Sequence, residues 1–330
     1  MLPPPPPRQS FPDGDAAIRS TDDDAAHARV SAVRKGYLKD PYIQYLVPRL
    51  HLIPTRPPLI NIGTYVRSEV IDKLMVKWLD LLDESSQAQI VSLGAGSDSR
   101  FWRFTDLPPK AKIVKWIEID FPEIVAKKAL AVRKHSKLSE AVGPDLAIEK
   151  GGTVLRSSVF NILAVDLRGE PSEALQPLEV LLSDGQPVLL LAECVFPYMS
   201  PETSAAIIRW FTERYSRVSI ISYDMFGLGD AFGKVMRENL QIRNIELPGV
   251  DDNPTRQSLE HRLHGCGLSE TNSVTLKNAR AACFPGPEVD RISGLERLDE
   301  VEELDLVLGH YSITWGSKDE TGAAARWRVE

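Results

Sequence analysis

The run Gln89-Ile90-Val91-Ser92-Leu93-Gly94-Ala95-Gly96-Ser97-Asp98-Ser99-Arg100 constrains the fold more than any other stretch. An apolar run that stops at Gly-Ala-Gly, with small polar residues next, reads as a buried parallel strand turning beneath a ligand, because glycine lets backbone approach closely. A second strand, Ile113 to Asp120, ends in an acid, and a carboxylate there can accept hydrogen bonds from both hydroxyls of a ribose. Together they suggest a nucleotide-type site. An ordinary strand-to-helix turn is the alternative for Gly94 and Gly96, and a helix cap before Pro122 is a second role open to Asp120. A dinucleotide fingerprint wants a third glycine where this chain has Ser99. S-adenosylmethionine has a ribose and an adenine but no pyrophosphate, so Gly-x-Gly plus an acid suits it.

Apolar runs and helical periodicities alternate along the rest of the chain, which predicts a doubly wound α/β fold. Further strands are expected within residues 158–168, 187–193, 218–223, 269–276 and 311–315, giving a seven-stranded sheet. In such sheets ligands lie beyond the carboxyl ends of the strands, so Asp166 and Glu193 fall on the ligand side. Asp166 would meet an adenine edge or serve as a turn residue. Tyr198, on the loop after Glu193, reaches a substrate or packs, and Ser200-Pro201-Glu202 opens the next helix.

Upstream, Val66, Val70, Leu74, Trp78 and Leu81 recur at helical spacing, with Arg67 in or near the first turn. A cation there opposes the helix dipole, which suggests a carboxylate partner. Residues 1–24, proline-rich and then acidic, are expected to be disordered, and 25–318 to form the domain. Two short helices, punctuated by Gly36 and Pro41, should precede the first strand. Residues 226–267 read as a helical lid or docking insertion, with helices at 234–243 and 257–264. A closing helix over 295–308 and a flexible tail at 319–330 complete the chain.

A net charge of −7 without a basic block disfavours nucleic acid as a partner. Three cysteines with no Cys-x-x-Cys pair argue against a disulfide framework and fit a reducing compartment. His261, His264 and Cys266 lack the further ligands a metal site needs and read as surface residues. No signal-like segment opens the chain, and Glu193 interrupts its longest apolar run. A soluble, cytoplasmic monomer is expected.

Taken together, Lys35-Gly36-Tyr37, Asp40-Pro41-Tyr42, Leu93 to Asp98, Phe101-Trp102-Arg103, Glu118 to Pro122, Asp166-Leu167-Arg168 and the span Ala192 to Met199 resemble the leucine carboxyl methyltransferase family. The resemblance runs from about Asp22 to Gly316 and is strongest to the fungal form of the branch acting on the type 2A protein phosphatase catalytic subunit. It implies a class I S-adenosylmethionine-dependent methyltransferase, Rossmann-like, that esterifies the C-terminal leucine of that subunit and so regulates holoenzyme assembly. By position, Arg67 would hold a carboxylate in the active site, that of the cofactor. Gly94 would back the methionine part, Asp120 the ribose, Asp166 and Leu167 the adenine, and Glu193 the cofactor amino group. Tyr198 would sit near the methyl and the substrate. Arg29 stands where animal members carry a lysine that contacts the cofactor.

The acceptor carboxylate in that reaction is already ionised at neutral pH, so alignment and exclusion of water suffice and no strong base is needed. Cys194, beside a buried strand, reads as packing. Two other readings are a carboxyl methyltransferase of a hypermodified transfer-RNA base, whose long repeat domain is absent here, and a non-catalytic phosphatase-binding protein. The size of the 226–267 insertion suggests contact with the folded phosphatase as well as its tail.

Overall fold

The computed structural model describes residues 14–107, 113–299, 301–318 and 326–329. Strands β1 (Ala88–Leu93), β2 (Ile113–Asp120), β3 (Ala147–Glu149), β4 (Val154–Arg156), β5 (Phe160–Ala164), β6 (Val188–Glu193), β7 (Val218–Met225), β8 (Glu270–Thr275) and β9 (Tyr311–Lys318) form one sheet. Their order is β3-β4-β5-β2-β1-β6-β7-β9-β8. The central run from β5 to β7 is parallel, and β3, β4, β8 and β9 pair antiparallel at the two margins. All seven expected strands are therefore present, and the short β3 and β4 extend the sheet to nine.

The helices are α1 (Gly14–Arg34), α2 (Ile43–Leu46), α3 (Pro58–Leu81), α4 (Arg100–Thr105), α5 (Pro122–Lys134), α6 (Ser136–Val142), α7 (Pro171–Ala174), α8 (Pro201–Arg214), α9 (Ala231–Ile242), α10 (Arg256–His264), α11 (Leu276–Ala282), α12 (Gly286–Ser293) and α13 (Val301–Gly309). Successive strand residues point to opposite faces, and the central strands are apolar on both. On one face Ile90, Leu189 and Leu191 meet α3 through Leu74 and Met75 and α4 through Phe101 and Trp102. On the other, Val91, Leu190 and Ala192 meet α8 through Ile207 and Phe211. Each such side chain contributes about 1.5–3 kcal/mol on burial. A one-residue slip of β1 or β6 would exchange the two cores, so the register is strongly specified.

Several expectations need correction. Residues 14–24 are helical: Ala17 is buried among Met225, Leu228 and Ile245, and the acids of this segment hold basic partners. Residues 1–13 lie outside the described residues. Helix α3 begins at Pro58, which places Arg67 in its interior. The closing helix starts only at Val301, and α11 and α12 precede it. In the tail, Trp327 is buried, donating its indole N–H to the Leu74 carbonyl while its own carbonyl accepts from Trp315; residues 319–325 and 330 lie outside the described residues. Within 226–267, α9 lines a cavity, whereas α10 packs on the sheet through buried Leu259 and Leu263. No described helix is long and apolar enough to cross a membrane.

Candidate active site

β1 has β2 on one side and β6 on the other, so the strand order reverses beside β1 and opens a crevice at the carboxyl ends. A cavity of about 730 Å³ occupies it. Gly94, Asp120, Asp166 and Leu167 line one end, from β1, β2 and the loop after β5. Arg29, Arg67, Glu193 and Tyr198 line the remainder, from α1, α3, the last residue of β6 and the turn beyond it. The residues singled out in the sequence are thus brought to one wall system. Among the described residues no cluster of potential metal ligands exists; His261 and His264 are exposed, whereas Cys266, expected at the surface, is buried in the core.

The glycine turn is sterically required. Gly94 and Gly96 have φ of 58° and 51°, and a Cβ on Gly94 would lie 2.7 Å from Val195 Cγ2. Asp120 accepts from the Gly96 N–H at 2.7 Å with one oxygen and from the Phe121 N–H at 2.7 Å with the other. Burial pushes its carboxyl up to about 6, against the opposing pull of those two N–H donors. It therefore fixes the turn and retains lone pairs toward the cavity, since each oxygen can accept twice. Asp166 is half-exposed and bound by Arg168 at 2.7 Å, which also pairs with Asp15 of α1 at 2.6 Å and lies over the Phe121 ring.

The opposite end is ionic and buried. Arg67 Nε donates to Glu193 Oε2 at 2.6 Å, and its guanidinium lies 4.8 Å from the centre of the Tyr223 ring. Arg100 donates to the other Glu193 oxygen at 2.5 Å, and also binds Asp72 and Asp98. Burial alone would raise the Glu193 carboxyl, but Arg100 and Arg67 hold it down at about 2. Arg29 binds Asp40 at 2.5 Å and the Ser68 hydroxyl at 3.0 Å, leaving its Nη2 buried with no hydrogen-bond partner.

These features fit S-adenosylmethionine. A paired cation and anion, Arg67 and Glu193, complement the zwitterionic amino-acid group, and the orphaned Arg29 donor sits ready for a carboxylate. Asp120 offers acceptors for ribose hydroxyls across a glycine turn that no larger residue could form. The thiol and phenols near the centre are kept protonated: burial pushes Cys194 up to about 12 and raises Tyr198, Tyr223 and Tyr311. Cys194 has φ of 55°, an uncommon conformation for a side-chain-bearing residue.

Other members of the site were not singled out in advance. Asp22 of α1 accepts from the Ser97 N–H at 2.6 Å and pairs with Lys127 at 3.0 Å, closing α1 onto the glycine turn. Asp24 of the same helix pairs with Arg243 at the end of α9, and Thr21 lines the cavity with Tyr198. Asp22-Asp23-Asp24 looks like solvated charge in sequence. Arg100 is adjacent to the glycine motif, but its partners come from three separate elements.

A profile of the leucine carboxyl methyltransferase family matches residues 17–212. Leucine carboxyl methyltransferase 1 of Cryptococcus neoformans is 40% identical, the match covering 97% of this chain and 98% of the relative. The Bos taurus protein of that name is 34% identical, over 92% and 90% of the two chains. The Arabidopsis thaliana homologue is 32% identical, over 93% and 91%. In fold, the chain is similar to a crystal structure of a Thermobifida fusca protein assigned as a methyltransferase, with a TM-score of 0.51, 14% identity, and coverage of 88% of this chain and 93% of that one. The chain belongs to the leucine carboxyl methyltransferase family and is an S-adenosylmethionine-dependent carboxyl methyltransferase.

Proposed function

We propose that the chain methyl-esterifies the C-terminal leucine α-carboxylate of the type 2A protein phosphatase catalytic subunit. The observation that carries the reading is that, among the described residues at the cavity centre, the Cys194 thiol and the Tyr198, Tyr223 and Tyr311 phenols are held neutral by burial while the Glu193 carboxylate is bound by Arg67 and Arg100. Such a site suits an acceptor that arrives already ionised, as a terminal carboxylate does.

When bound, S-adenosylmethionine supplies a methyl group activated by its positive sulfur. The chain's own residues then have separate tasks. Arg67 and Arg29 hold the carboxylate of the donor, Glu193 its ammonium, Asp120 the ribose hydroxyls, and Asp166 with Leu167 the adenine edge. Tyr198 packs beside the acceptor and limits water. Alignment of this kind removes much of the entropic barrier without proton transfer. Helix α9 presents exposed Val235 and Ile242 near the mouth, a surface suited to the folded phosphatase as well as its tail.

The direct test is transfer of labelled methyl from S-adenosylmethionine to purified catalytic subunit, beside a subunit lacking its terminal leucine and an Arg67→Ala enzyme. Labelling that needs both the leucine and Arg67 is expected. Donor binding without labelling would remove the phosphatase as substrate. Equal efficiency on a tail peptide would remove the role of the folded surface.

A further inference from the structure

We propose that Arg100 is a positioning residue for the amino-acid end of the methyl donor, fixing the Glu193 carboxylate from behind so that Arg67 is free to turn to a ligand carboxylate. The inference rests on the placement of that end at Arg67 and Glu193 given above, and deepens it.

Arg100 opens α4 directly after the glycine turn and is 1% exposed. Its Nε donates to Asp72 Oδ1 at 2.6 Å, and its Nη1 to Asp98 Oδ2 at 2.6 Å and Glu193 Oε1 at 2.5 Å. One guanidinium thereby ties together α3, the turn after β1 and the end of β6. The anchors are themselves held. Asp98 also accepts the Arg100 backbone N–H at 3.0 Å, and the second oxygen of Asp72 is taken by Arg103.

Glu193 divides its oxygens between two cations of different standing. The Arg100 side chain is 2% exposed and that of Arg67 is 28%. Arg67 thus faces the cavity and Arg100 stands behind. A zwitterionic ligand competes with Glu193 for Arg67, and with Arg67 for Glu193. With a single anchor, Glu193 would lose its counter-charge as Arg67 turned away, and a buried carboxylate without one takes up a proton. With two anchors it stays charged and in register with the incoming ammonium.

Charge balance makes the same point. Arg67, Arg100 and Arg103 face Asp72, Asp98 and Glu193, so removing Arg100 leaves the lattice with surplus negative charge next to the ligand carboxylate. Lysine cannot substitute, because a single ammonium does not reproduce donation from two separate nitrogens of a planar fork.

The test compares two ligands by calorimetry: S-adenosylhomocysteine, and methylthioadenosine, which keeps the adenosine and sulfur but lacks the amino-acid group. Arg100→Lys is expected to weaken S-adenosylhomocysteine by about 10- to 100-fold and to leave methylthioadenosine within about threefold. In turnover, KM for the donor should rise more than kcat falls. Arg100→Gln should show a larger loss with the same selectivity. Where that variant does not fold, Asp98→Asn, which removes one anchor of Arg100, should show a smaller loss with the same selectivity. Equal losses for both ligands, or none, overturn the role of Arg100. Wild-type protein that binds S-adenosylhomocysteine no more tightly than methylthioadenosine overturns the placement of the amino-acid end as well, which separates the two failures.

Discussion

The two ends of the cavity handle charge in opposite ways. At the Glu193 end the guanidinium of Arg100 is sealed from solvent and each acid has a fixed geometry. At the Asp166 end, Arg168, Asp166 and Asp15 form a comparable number of contacts, but their side chains are 35%, 47% and 46% exposed. Buried ions cannot fall back on water when a partner is lost, whereas exposed ones can. The first end is therefore suited to holding a geometry, and the second to contacts that tolerate the loss of a partner.

The largest effect should come from Glu193→Ala, which strands Arg67 and takes one of three carboxylate partners from Arg100. A destabilisation of about 3 kcal/mol in urea unfolding is expected, with donor binding lost more than about 100-fold. A change below about 1 kcal/mol would mean the two ends are energetically alike. Next is Gly94→Ala, where a left-handed conformation costs about 1–2 kcal/mol for a residue with a Cβ, before the clash with Val195 is added; unfolding and S-adenosylhomocysteine affinity both report it.

Asp120 gives a pH signature of intermediate size. Its carboxyl titrates at about 6 in the folded chain, and ribose hydroxyls donate best to the ionised form. Affinity should be full above that pH and fall below it, approaching tenfold per pH unit. Asp120→Asn should flatten this slope. A slope unchanged in that variant would assign the titration to another group, such as Glu118, which burial pushes up to about 7 against its partner Lys128. The smallest effect is predicted for Asp15→Asn: an unchanged unfolding midpoint and donor affinity altered by less than about threefold. A large loss there would erase the contrast between the ends.

The same contrast explains what could be read from the chain alone. Gly94, Asp120 and Glu193 stand at the ends of largely apolar strands, so local pattern places them on the ligand side. The apolar spacing that begins at Val66 puts Arg67 near a helix start. Pro57-Pro58 marks the true start, and the carboxylate partner inferred for Arg67 comes from β6, far along the chain. Helix α1 was hidden because Asp22, Asp23 and Asp24 resemble a solvated acidic stretch. Their partners Ser97, Lys127 and Arg243 are remote in sequence, and no local periodicity encodes such contacts. Strands β3 and β4, at 3 residues each, are too short for alternation to show.

One feature of the sheet also acts in time. All 8 residues of β7 are buried, and its outer edge is covered only by β9, which follows five helices and β8 in the chain. During synthesis, therefore, β7 presents a long apolar edge with unpaired backbone groups until residue 311 has emerged. Chains interrupted before that point are expected to self-associate along this edge, and the yield of folded protein should depend on how well chaperones shield it.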